Sequence, residues 1–226
     1  MKSDAKSTIE TGKAILGIEL GSTRIKAVLI DQENKPIAQG NHTWENQLVD
    51  GLWTYSIEAI WSGLQDCYAD LRSNVKNLYG IEIENLAAIG VSAMMHGYMP
   101  FNAKEEILVP FRTWRNTNTG RAAAALSDLF VYNIPLRWSI SHLYQAILDN
   151  EAHVKDIDFL TTLAGYVHWQ LTGEKVLGIG DASGMLPIDP ITHNYSAEMV
   201  AKFDKLIAPN QYSWTLQDIL PKVLSA

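Results

Sequence analysis

The first apolar runs of the chain are short and are separated by tight polar turns. Ala14–Leu20 and Arg24–Ile30 are strand-like runs that meet at a Gly-Ser-Thr turn, and Pro36–Thr43 alternates loosely between apolar and polar positions. Strands joined by such short turns pair with their neighbours in antiparallel order. The pattern therefore predicts a three-stranded antiparallel meander at the start of the fold.

A long amphipathic helix and a further strand follow the predicted meander. Apolar residues recur at helical spacing from Ile57 to Leu78, and Gly80 follows where a left-handed residue commonly ends a helix. Leu86–Ser92 is an apolar run typical of a strand that is buried on both faces after a crossover helix. The predicted order is three antiparallel strands, a helix and another strand, which together begin a mixed sheet.

The second half of the chain is predicted to be mainly helical. Helical patterns cover Thr119–Phe130 and Ile140–Leu148, while Asp158 and Ser196 are candidate N-caps of two more helices. Met185–Ile188 indicates a short strand. Helices that follow a mixed sheet in this way are typical of an α/β fold.

Charge and cysteine content narrow the class of protein. Lys and Arg total 18 against 25 Asp and Glu, a formal net charge of -7, so a broad basic face for nucleic acid is not expected. One cysteine, Cys67, excludes an internal disulfide, and its helical surroundings favour a buried apolar role over a nucleophilic one. With no signal peptide and no membrane-spanning run, a cytoplasmic protein is predicted.

The apolar content predicts how the chain is organised. Of 226 residues, 47% are hydrophobic, which is ample for a buried core. Residues 1–13 are polar and mixed in charge, and we expect them to be disordered. No repeat or linker interrupts the remainder, so a single α/β domain is predicted over residues 14–226.

The turn between the first two strands carries the strongest chemical signal. Gly21, Ser22 and Thr23 offer backbone N–H groups and hydroxyls to a phosphate. Glu19 lies in an apolar run, where a carboxylate costs desolvation free energy unless it has a partner, and Lys26 follows the turn. A carboxylate there can hold a hydrated Mg²⁺. The residues predict a phosphate and metal site for phosphoryl transfer; the alternative is a plain glycine-turn hairpin.

Two further segments contain candidate ligand-binding residues. Met95 and His96 follow a predicted strand, at the end where α/β folds hold ligands, although a lone histidine is more often structural. Trp114 and Asn116 lie in a polar loop whose amide can both donate to and accept from a hydroxyl-rich ligand. The alternative for this loop is a helix cap with Trp114 in the core.

These segments resemble, in the same order, the N-terminal domain of the FGGY carbohydrate kinases, a family with the actin-like, ribonuclease-H-like ATPase fold. Gly17–Lys26 is similar to the first phosphate motif of the family, in which Glu19 stands where the family has Asp. Met94–Gly97 is similar to the Gln-Met-His-Gly segment of xylulose kinases and to the related segment of gluconate kinases. The resemblance implies an α/β domain with a mixed sheet, three antiparallel strands followed by crossover helices.

Two later segments extend the resemblance. Phe111–Thr119 is similar to a Trp-x-Asp-x-Arg segment, in which Asn116 takes the place of Asp and Asn118 that of Arg. Gly178–Leu186 is similar to a Ser-Asp-Ala-Ser-Gly segment and contains Asp181. Since the family places its catalytic base elsewhere, the resemblance implies a structural or site-shaping role for Asp181.

The resemblance implies an ATP-dependent kinase that phosphorylates a sugar hydroxyl, with ATP and Mg²⁺ as cofactors. Met95, His96, Trp114 and Asn116 would bind the sugar, with His96 hydrogen-bonded to a hydroxyl, and Glu19 would hold Mg²⁺ through water. A ketopentose such as xylulose is the leading substrate, and gluconate or another sugar of the family is the alternative. A non-catalytic actin-like module, either a sugar sensor or a filament-forming protein, would share the same turn.

The resemblance also implies a second domain, which in the family binds ATP and supplies the Asp that takes the proton from the sugar. No Gly-Gly-x-Asp-like segment occurs toward the end of this chain. We therefore expect the C-terminal domain and the general base to lie outside the chain, and the chain alone to be inactive. The expected partners are the sugar and that domain, not nucleic acid or a membrane, and a homodimer is left open.

Overall fold

A computed structural model describes residues 2–225 of the chain. The elements of the first half are α1 (Lys2–Glu10), β1 (Ile15–Leu20), β2 (Arg24–Ile30), β3 (Pro36–Thr43), β4 (Gln47–Val49), β5 (Leu52–Thr54), α2 (Ile57–Tyr79), β6 (Ala88–Ala93) and β7 (Met99–Phe101). Those of the second half are α3 (Gly120–Phe130), α4 (Ser139–Leu148), β8 (Phe159–Thr161), α5 (Leu163–Thr172), β9 (Val176–Gly178), α6 (Ile179–Ala182), β10 (Ile188–Asp189), β11 (Asn194–Tyr195), α7 (Ala197–Ile207), α8 (Leu216–Ile219) and β12 (Lys222–Leu224). Two short 3₁₀ helices cover Ala152–Asp156 and Ala208–Asn210.

The described residues form two compact units where one domain is predicted. The first unit comprises residues 2–46 and 55–94, and the second comprises residues 47–54 and 95–225. The hairpin β4–β5 belongs to the second unit, although it lies in sequence between elements of the first. No helix within these residues is long and apolar enough to cross a membrane.

The first unit is built on a four-stranded mixed sheet in the order β3-β2-β1-β6. β1 pairs antiparallel with β2, β2 pairs antiparallel with β3, and β6 runs parallel to β1. The connection to β6 is the long helix α2, as a parallel pairing requires. The predicted meander, crossover helix and further strand are confirmed.

Helix α2 packs closely against strand β3 of the first unit. The Ser56 side chain accepts a hydrogen bond from the Ala59 N–H at the start of the helix, and Gly80 ends it with φ of 69°. A Cβ atom at Gly40 would lie 2.3 Å from the Cys67 carbonyl oxygen, so glycine alone permits this approach. Burial, together with the charge of Asp70, raises the pKa of the Cys67 thiol to about 11, which fits the predicted buried role.

Two predictions for the first unit are wrong. Residues 1–13 are predicted to be disordered, but α1 forms over most of them and buries Ala5 and Ile9. The strand predicted over Leu86–Ser92 is not buried on both faces, and Ile89 is 54% exposed. The physical reason is that β6 lies at the edge of the sheet, where β1 is its only pairing strand within residues 2–225.

The second unit has a mainly apolar core between helices and short strand pairs. β7 pairs antiparallel with β8, β9 pairs parallel with β12, and β4–β5 and β10–β11 form two small hairpins. Helices α3, α4, α7 and α8 contribute to one large cluster of buried apolar side chains. The predicted helical character of this half is confirmed.

Details of the second unit differ from the sequence pattern. Ser196 caps α7 as predicted, since its hydroxyl accepts from the Met199 N–H. The cap predicted at Asp158 is wrong, because that residue precedes β8, and Thr162 caps α5 through a bond from the Gly165 N–H. Of the strand predicted over Met185–Ile188, only the last residue lies in a strand.

Candidate functional site

The Gly-Ser-Thr turn of the first unit is held through its carbonyl oxygens. The Trp44 indole N–H donates to the Gly21 oxygen at 2.7 Å, and the Tyr55 hydroxyl donates to the Ser22 oxygen at 2.5 Å. The Trp44 backbone N–H donates to the Thr23 oxygen at 3.3 Å. The two aromatic rings stack with centroids 4.2 Å apart. The backbone of the turn is therefore fixed before any ligand binds.

The turn leaves polar groups accessible to a ligand. The side chains of Ser22 and Thr23 are exposed. The Gly21 N–H donates to the Arg24 oxygen at 3.0 Å, and a Cβ atom at Gly21 would lie 2.9 Å from that same oxygen. A side chain at this position would spread the turn, so the glycine is required by the tight geometry.

Glu19 and Lys26 face each other across the hairpin. They are register partners in β1 and β2, with 3.2 Å between Lys26 Nζ and Glu19 Oε2. The side chains of Glu19 and Lys26 are 53% and 49% exposed, so Glu19 is not desolvated as its apolar neighbours in sequence predict. Alternation along β1 puts the acid on the open face of the sheet. An exposed ion pair contributes only about 0.2–1 kcal/mol, so the carboxylate can exchange Lys26 for a metal ion.

The donor set at Glu19 fits a hydrated Mg²⁺. It does not fit a metal site in which protein side chains supply all the ligands. Mg²⁺ keeps several waters and is commonly bound through one or two carboxylates together with substrate phosphates. Glu19 supplies one carboxylate beside a turn suited to phosphate. Among residues 2–225, no group of three or more His, Cys, Asp or Glu side chains is placed to hold a metal ion.

His96 and Gly97 of the second unit have an uncommon backbone conformation. Both have positive φ, 70° for His96 and 113° for Gly97. A Cβ atom at Gly97 would lie 2.7 Å from the Phe111 ring and 2.8 Å from the Arg112 carbonyl oxygen. The Ser139 hydroxyl donates to the Gly97 oxygen at 2.6 Å and fixes the segment. Such conformations cost free energy and concentrate at functional sites.

The His96 imidazole is half-buried and is held neutral by its surroundings. Its Nδ1 lies 3.4 Å from the Gly184 carbonyl oxygen, and its ring stacks with Trp138 at a centroid distance of 6.5 Å. Burial lowers the pKa of His96, the Gly184 carbonyl opposes this, and the Arg137 charge lowers it further. A proton on Nδ1 can donate to Gly184, which leaves Nε2 as an acceptor for a hydroxyl.

The structure brings the Met95–His96 segment together with the segment that contains Asp181. A Cβ atom at Gly184 would lie 2.7 Å from His96 Nδ1 and 3.2 Å from Met95 Cε. The Thr162 hydroxyl donates to the Asp181 carboxylate. Burial raises the pKa of Asp181, and the Thr162 bond opposes that shift. Asp181 thus ties the segment next to His96 to the start of α5.

The side chain of Asn116 is committed to the protein backbone. It is 4% exposed, its Oδ1 accepts from the Trp53 N–H at 2.9 Å, and its Nδ2 donates to the Trp53 oxygen at 2.8 Å. Nδ2 also donates to the Thr113 oxygen at 3.0 Å. In this structure Asn116 fastens the hairpin β4–β5, a role different from the predicted sugar contact. Trp114 is 39% exposed and is not part of the core.

Three residues around these segments escape prediction from sequence. Trp138 and Arg137 lie just before α4, and the Gly97 N–H donates to the Arg137 carbonyl oxygen at 3.3 Å. The Arg115 guanidinium lies 3.5 Å from the centroid of the Trp53 ring. The only sequence signal was the aromatic and basic pair Arg137-Trp138 immediately before a helical pattern.

Comparison with known proteins places these segments in a family. A family model described as FGGY family of carbohydrate kinases, N-terminal domain, matches residues 14–226. Xylulose kinase of Klebsiella pneumoniae is 20% identical over 197 residues, which cover 84% of this chain and 40% of the relative. Xylulose kinase of Escherichia coli (strain K12) is 19% identical over 196 residues, with the same two coverages of 84% and 40%. The chain therefore spans about 40% of the length of these curated relatives.

Solved structures agree on the fold. Gluconate kinase from Lactobacillus acidophilus matches with a TM-score of 0.77 at 19% identity, covering 94% of this chain and 42% of that one. Ligand-bound xylulose kinase from the same organism matches with a TM-score of 0.76 at 19% identity and the same coverages, 94% and 42%. At this identity the likeness concerns the fold alone. The predicted α/β fold with a mixed sheet, as in actin-like sugar kinases, is confirmed.

Proposed function

Because the chain belongs to the FGGY family of carbohydrate kinases, we propose that it is the sugar-binding part of an enzyme that transfers a phosphoryl group from ATP to a sugar hydroxyl. The observation that carries the proposal is the His96 segment. A strained backbone presents a neutral imidazole beside an aromatic ring, with one nitrogen free to accept from a hydroxyl. A polyol is the ligand that such a combination suits.

The proposed sugar site contains both predicted and unpredicted residues. His96 accepts a sugar hydroxyl through Nε2, Met95 and Trp114 offer partly exposed apolar surface, and Trp138 stacks beside the imidazole. The side chains of Met95 and Trp114 are 40% and 39% exposed. Apolar C–H faces of a sugar pack on such side chains while its hydroxyls bind polar groups. Asn116 supports this site by fastening the backbone beside Trp114.

The proposed phosphate site is the hairpin of the first unit. The N–H groups and hydroxyls of Ser22 and Thr23 would bind phosphate oxygens, and Lys26 would add a positive charge. Glu19 would hold Mg²⁺ through water, and the metal would neutralise charge on the phosphates of ATP. The exposed ion pair between Glu19 and Lys26 supports the assignment, because each partner is available to a ligand of opposite charge.

A ketopentose such as xylulose is the proposed substrate, and gluconate is a second candidate. The resemblance of the Met95–His96 segment to xylulose kinases supports the neutral sugar. The positive charge of Arg137 favours gluconate, the sugar acid. This charge lowers the pKa of His96, and the Arg137 carbonyl oxygen accepts a hydrogen bond from the Gly97 N–H. Guanidinium groups bind carboxylates in a bidentate manner, so Arg137 would hold the acidic end of a sugar acid.

Catalysis is proposed to require a second domain outside this chain. Phosphoryl transfer depends on positioning and on charge stabilisation from every side of the phosphate, and on a base that takes the proton from the sugar. The relatives are more than twice as long as the chain, which leaves room for such a domain. We expect the 226-residue chain alone to bind sugar weakly and to release no ADP in a sugar-dependent way.

Calorimetry with a panel of ketopentoses and sugar acids tests the function directly. The chain should bind at least one of them, and His96→Ala should weaken that binding by about tenfold, the cost of one good hydrogen bond to the ligand. His168→Ala is the matched control, since that histidine lies on α5 and is not part of the proposed sugar site. Absent binding by the wild-type chain and both variants would favour a non-catalytic actin-like module that binds no sugar, such as a filament-forming protein.

A further inference from the structure

Four polar side chains of the second unit form a closed ring of contacts. Arg112 donates to both oxygens of Glu151, with 3.0 Å between Nη1 and Oε1. The Arg112 guanidinium lies 5.2 Å from the centroid of the Tyr98 ring, whose hydroxyl is 2.8 Å from His153 Nε2. His153 Nδ1 lies 3.4 Å from Glu151 Oε2 and closes the ring.

The ring contains one partly buried ion pair, in which Arg112 is the buried member. The side chain of Arg112 is 6% exposed and that of Glu151 is 29% exposed. Removing two charges from water costs free energy, so a pair shielded from water often stabilises a fold no better than apolar residues of similar volume. A bidentate pair, however, fixes the orientation of both groups. The main expected effect of this ion pair is therefore to fix the orientation of the Arg112 and Glu151 side chains.

Two members of the ring also form the backbone bridge between the proposed sugar-binding segments. The Tyr98 N–H donates to the Arg112 oxygen at 2.9 Å, and the Arg112 N–H donates to the Tyr98 oxygen at 3.1 Å. His96 precedes Tyr98 by two residues, and Trp114 follows Arg112 by two residues. Because the pairing is antiparallel, His96 and Trp114 lie on the same side of the bridge, one on each segment.

We propose that Arg112 and Glu151 are positioning residues for the sugar site of the second unit. They hold the Tyr98–Arg112 backbone bridge in one orientation, and this bridge sets the positions of His96 and Trp114. Neither residue is required to touch the sugar. The inference rests on the proposed function for its substrate, and on the geometry of the ring for its mechanism.

The surroundings of Arg112 make the Glu151 carboxylate hard to replace. Burial and the Arg112 charge lower the pKa of His142 to about 3, so that histidine is neutral and offers no compensating charge. Burial also lowers the pKa of His153, and the Glu151 charge opposes this shift. Arg112 Nε is buried without a hydrogen-bond partner among the described residues. Loss of the Glu151 charge would therefore release Arg112 from its orientation.

Steady-state kinetics of the full-length enzyme tests the proposal. Glu151→Gln should raise KM for the sugar by about tenfold, while KM for ATP stays unchanged and kcat at saturating sugar stays within about threefold. Asp149→Asn is the matched control, because it breaks the exposed ion pair with Arg121, whose side chain is 65% exposed. An unchanged sugar KM in Glu151→Gln overturns the proposal.

A double variant separates positioning from stability. Arg112→Gln combined with Glu151→Gln removes both charges, so no lone charge stays buried and the melting temperature should recover relative to Glu151→Gln alone. The sugar KM should stay raised, because an amide pair lacks the bidentate geometry. Recovery of both quantities together would assign the ion pair a structural role only, and the proposal would fail.

Hydrogen exchange in the 226-residue chain gives a result that does not depend on kinase activity. In Glu151→Gln, the Tyr98 and Arg112 amides should exchange about tenfold faster than in the wild type, while the amides of β2 in the first unit keep the wild-type rate. In the control variant Asp149→Asn, the Tyr98 and Arg112 amides should also keep the wild-type rate. Unchanged exchange at Tyr98 and Arg112 overturns the positioning role. If the wild-type enzyme phosphorylates no sugar while these rates respond, the proposed function fails and the ring still orients the bridge.

Discussion

At the scale of single residues, the position of His96 depends on the absence of a side chain at Gly184. A Cβ atom there would approach His96 Nδ1 to 2.7 Å, closer than such contacts are found. The imidazole would have to move, and with it the hydrogen bond to the Gly184 oxygen. A ring displaced in this way no longer directs Nε2 to the same place.

Gly184→Ala should therefore weaken sugar binding by about tenfold, with a smaller effect on the melting temperature. Gly180→Ala is its matched control, because a Cβ atom at Gly180 meets nothing within 4 Å. Calorimetric titration of both variants with the sugar that binds the wild-type chain measures the difference. Equal affinities of the two variants would show that His96 does not contact the ligand.

Glu19→Gln tests the metal-side role of the hairpin. In the full-length enzyme, turnover should fall by at least about tenfold because an amide is a poor Mg²⁺ ligand, while sugar binding stays largely intact. The melting temperature of the chain should change little, since the Glu19–Lys26 pair is exposed. Glu33→Gln, at an exposed turn position, serves as the control. Normal turnover in Glu19→Gln would make Glu19 a tolerated surface acid.

At the scale of elements, the contact between α2 and β3 is set by one glycine. A Cβ atom at Gly40 would lie 2.3 Å from the Cys67 oxygen and 2.5 Å from the Leu71 nitrogen. Both are backbone atoms of the helix, so a rotamer change cannot relieve the overlap. The helix and the sheet would have to separate along their buried faces.

Gly40→Ala is accordingly expected to lower the free energy of unfolding by about 2–3 kcal/mol. Gly90→Ala on β6, where a Cβ atom has open space, should stay within about 0.5 kcal/mol of wild type. Urea unfolding followed by circular dichroism gives both values. Similar losses in the two variants would contradict the close packing of α2 on β3.

Sequence periodicity was sufficient for the long elements and insufficient for the contacts that join them. The 23-residue helix α2 shows many turns of apolar spacing, whereas β7 and β8 have three residues each and exist because they pair with each other. The same pairing displaced the cap predicted at Asp158 to Thr162. The formation of short elements depends more on tertiary pairing than on the local sequence pattern.

The same distinction between local pattern and non-local contacts applies to the candidate site residues. The Gly-Ser-Thr turn is local, and its position between β1 and β2 follows from the sequence pattern alone. The Asn116 amide instead binds the backbone of Trp53, 63 positions away, and no local pattern indicates that partner. Trp138 reaches His96 from a distant segment for the same reason. Non-local partners are where a sequence motif and a structural role diverge.

At the scale of the whole molecule, a buried histidine makes stability depend on pH. His142 is 0% exposed and neither ring nitrogen has a hydrogen-bond partner among the described residues. Burial and the Arg112 charge lower its pKa from 6.5 to about 3. Below about pH 6.5 the unfolded chain binds a proton that the folded chain does not, so stability falls as pH falls.

The chain should therefore lose about 2 kcal/mol of unfolding free energy at this site between pH 6.5 and pH 5. His142→Leu should lose correspondingly less over the same window, since leucine does not titrate. Urea unfolding at the two pH values measures each slope, and an unchanged slope in His142→Leu would refute the assignment.

The aromatic pair behind the Gly-Ser-Thr turn has a consequence for selectivity between ions. Trp44 and Tyr55 occupy the carbonyl oxygens of Gly21, Ser22 and Thr23 before a ligand arrives. Those oxygens cannot rotate toward a cation without breaking these bonds, so the peptide groups of the turn are preorganised for an anion. A phosphate bound at this proposed site would therefore cost little conformational entropy, which favours its affinity.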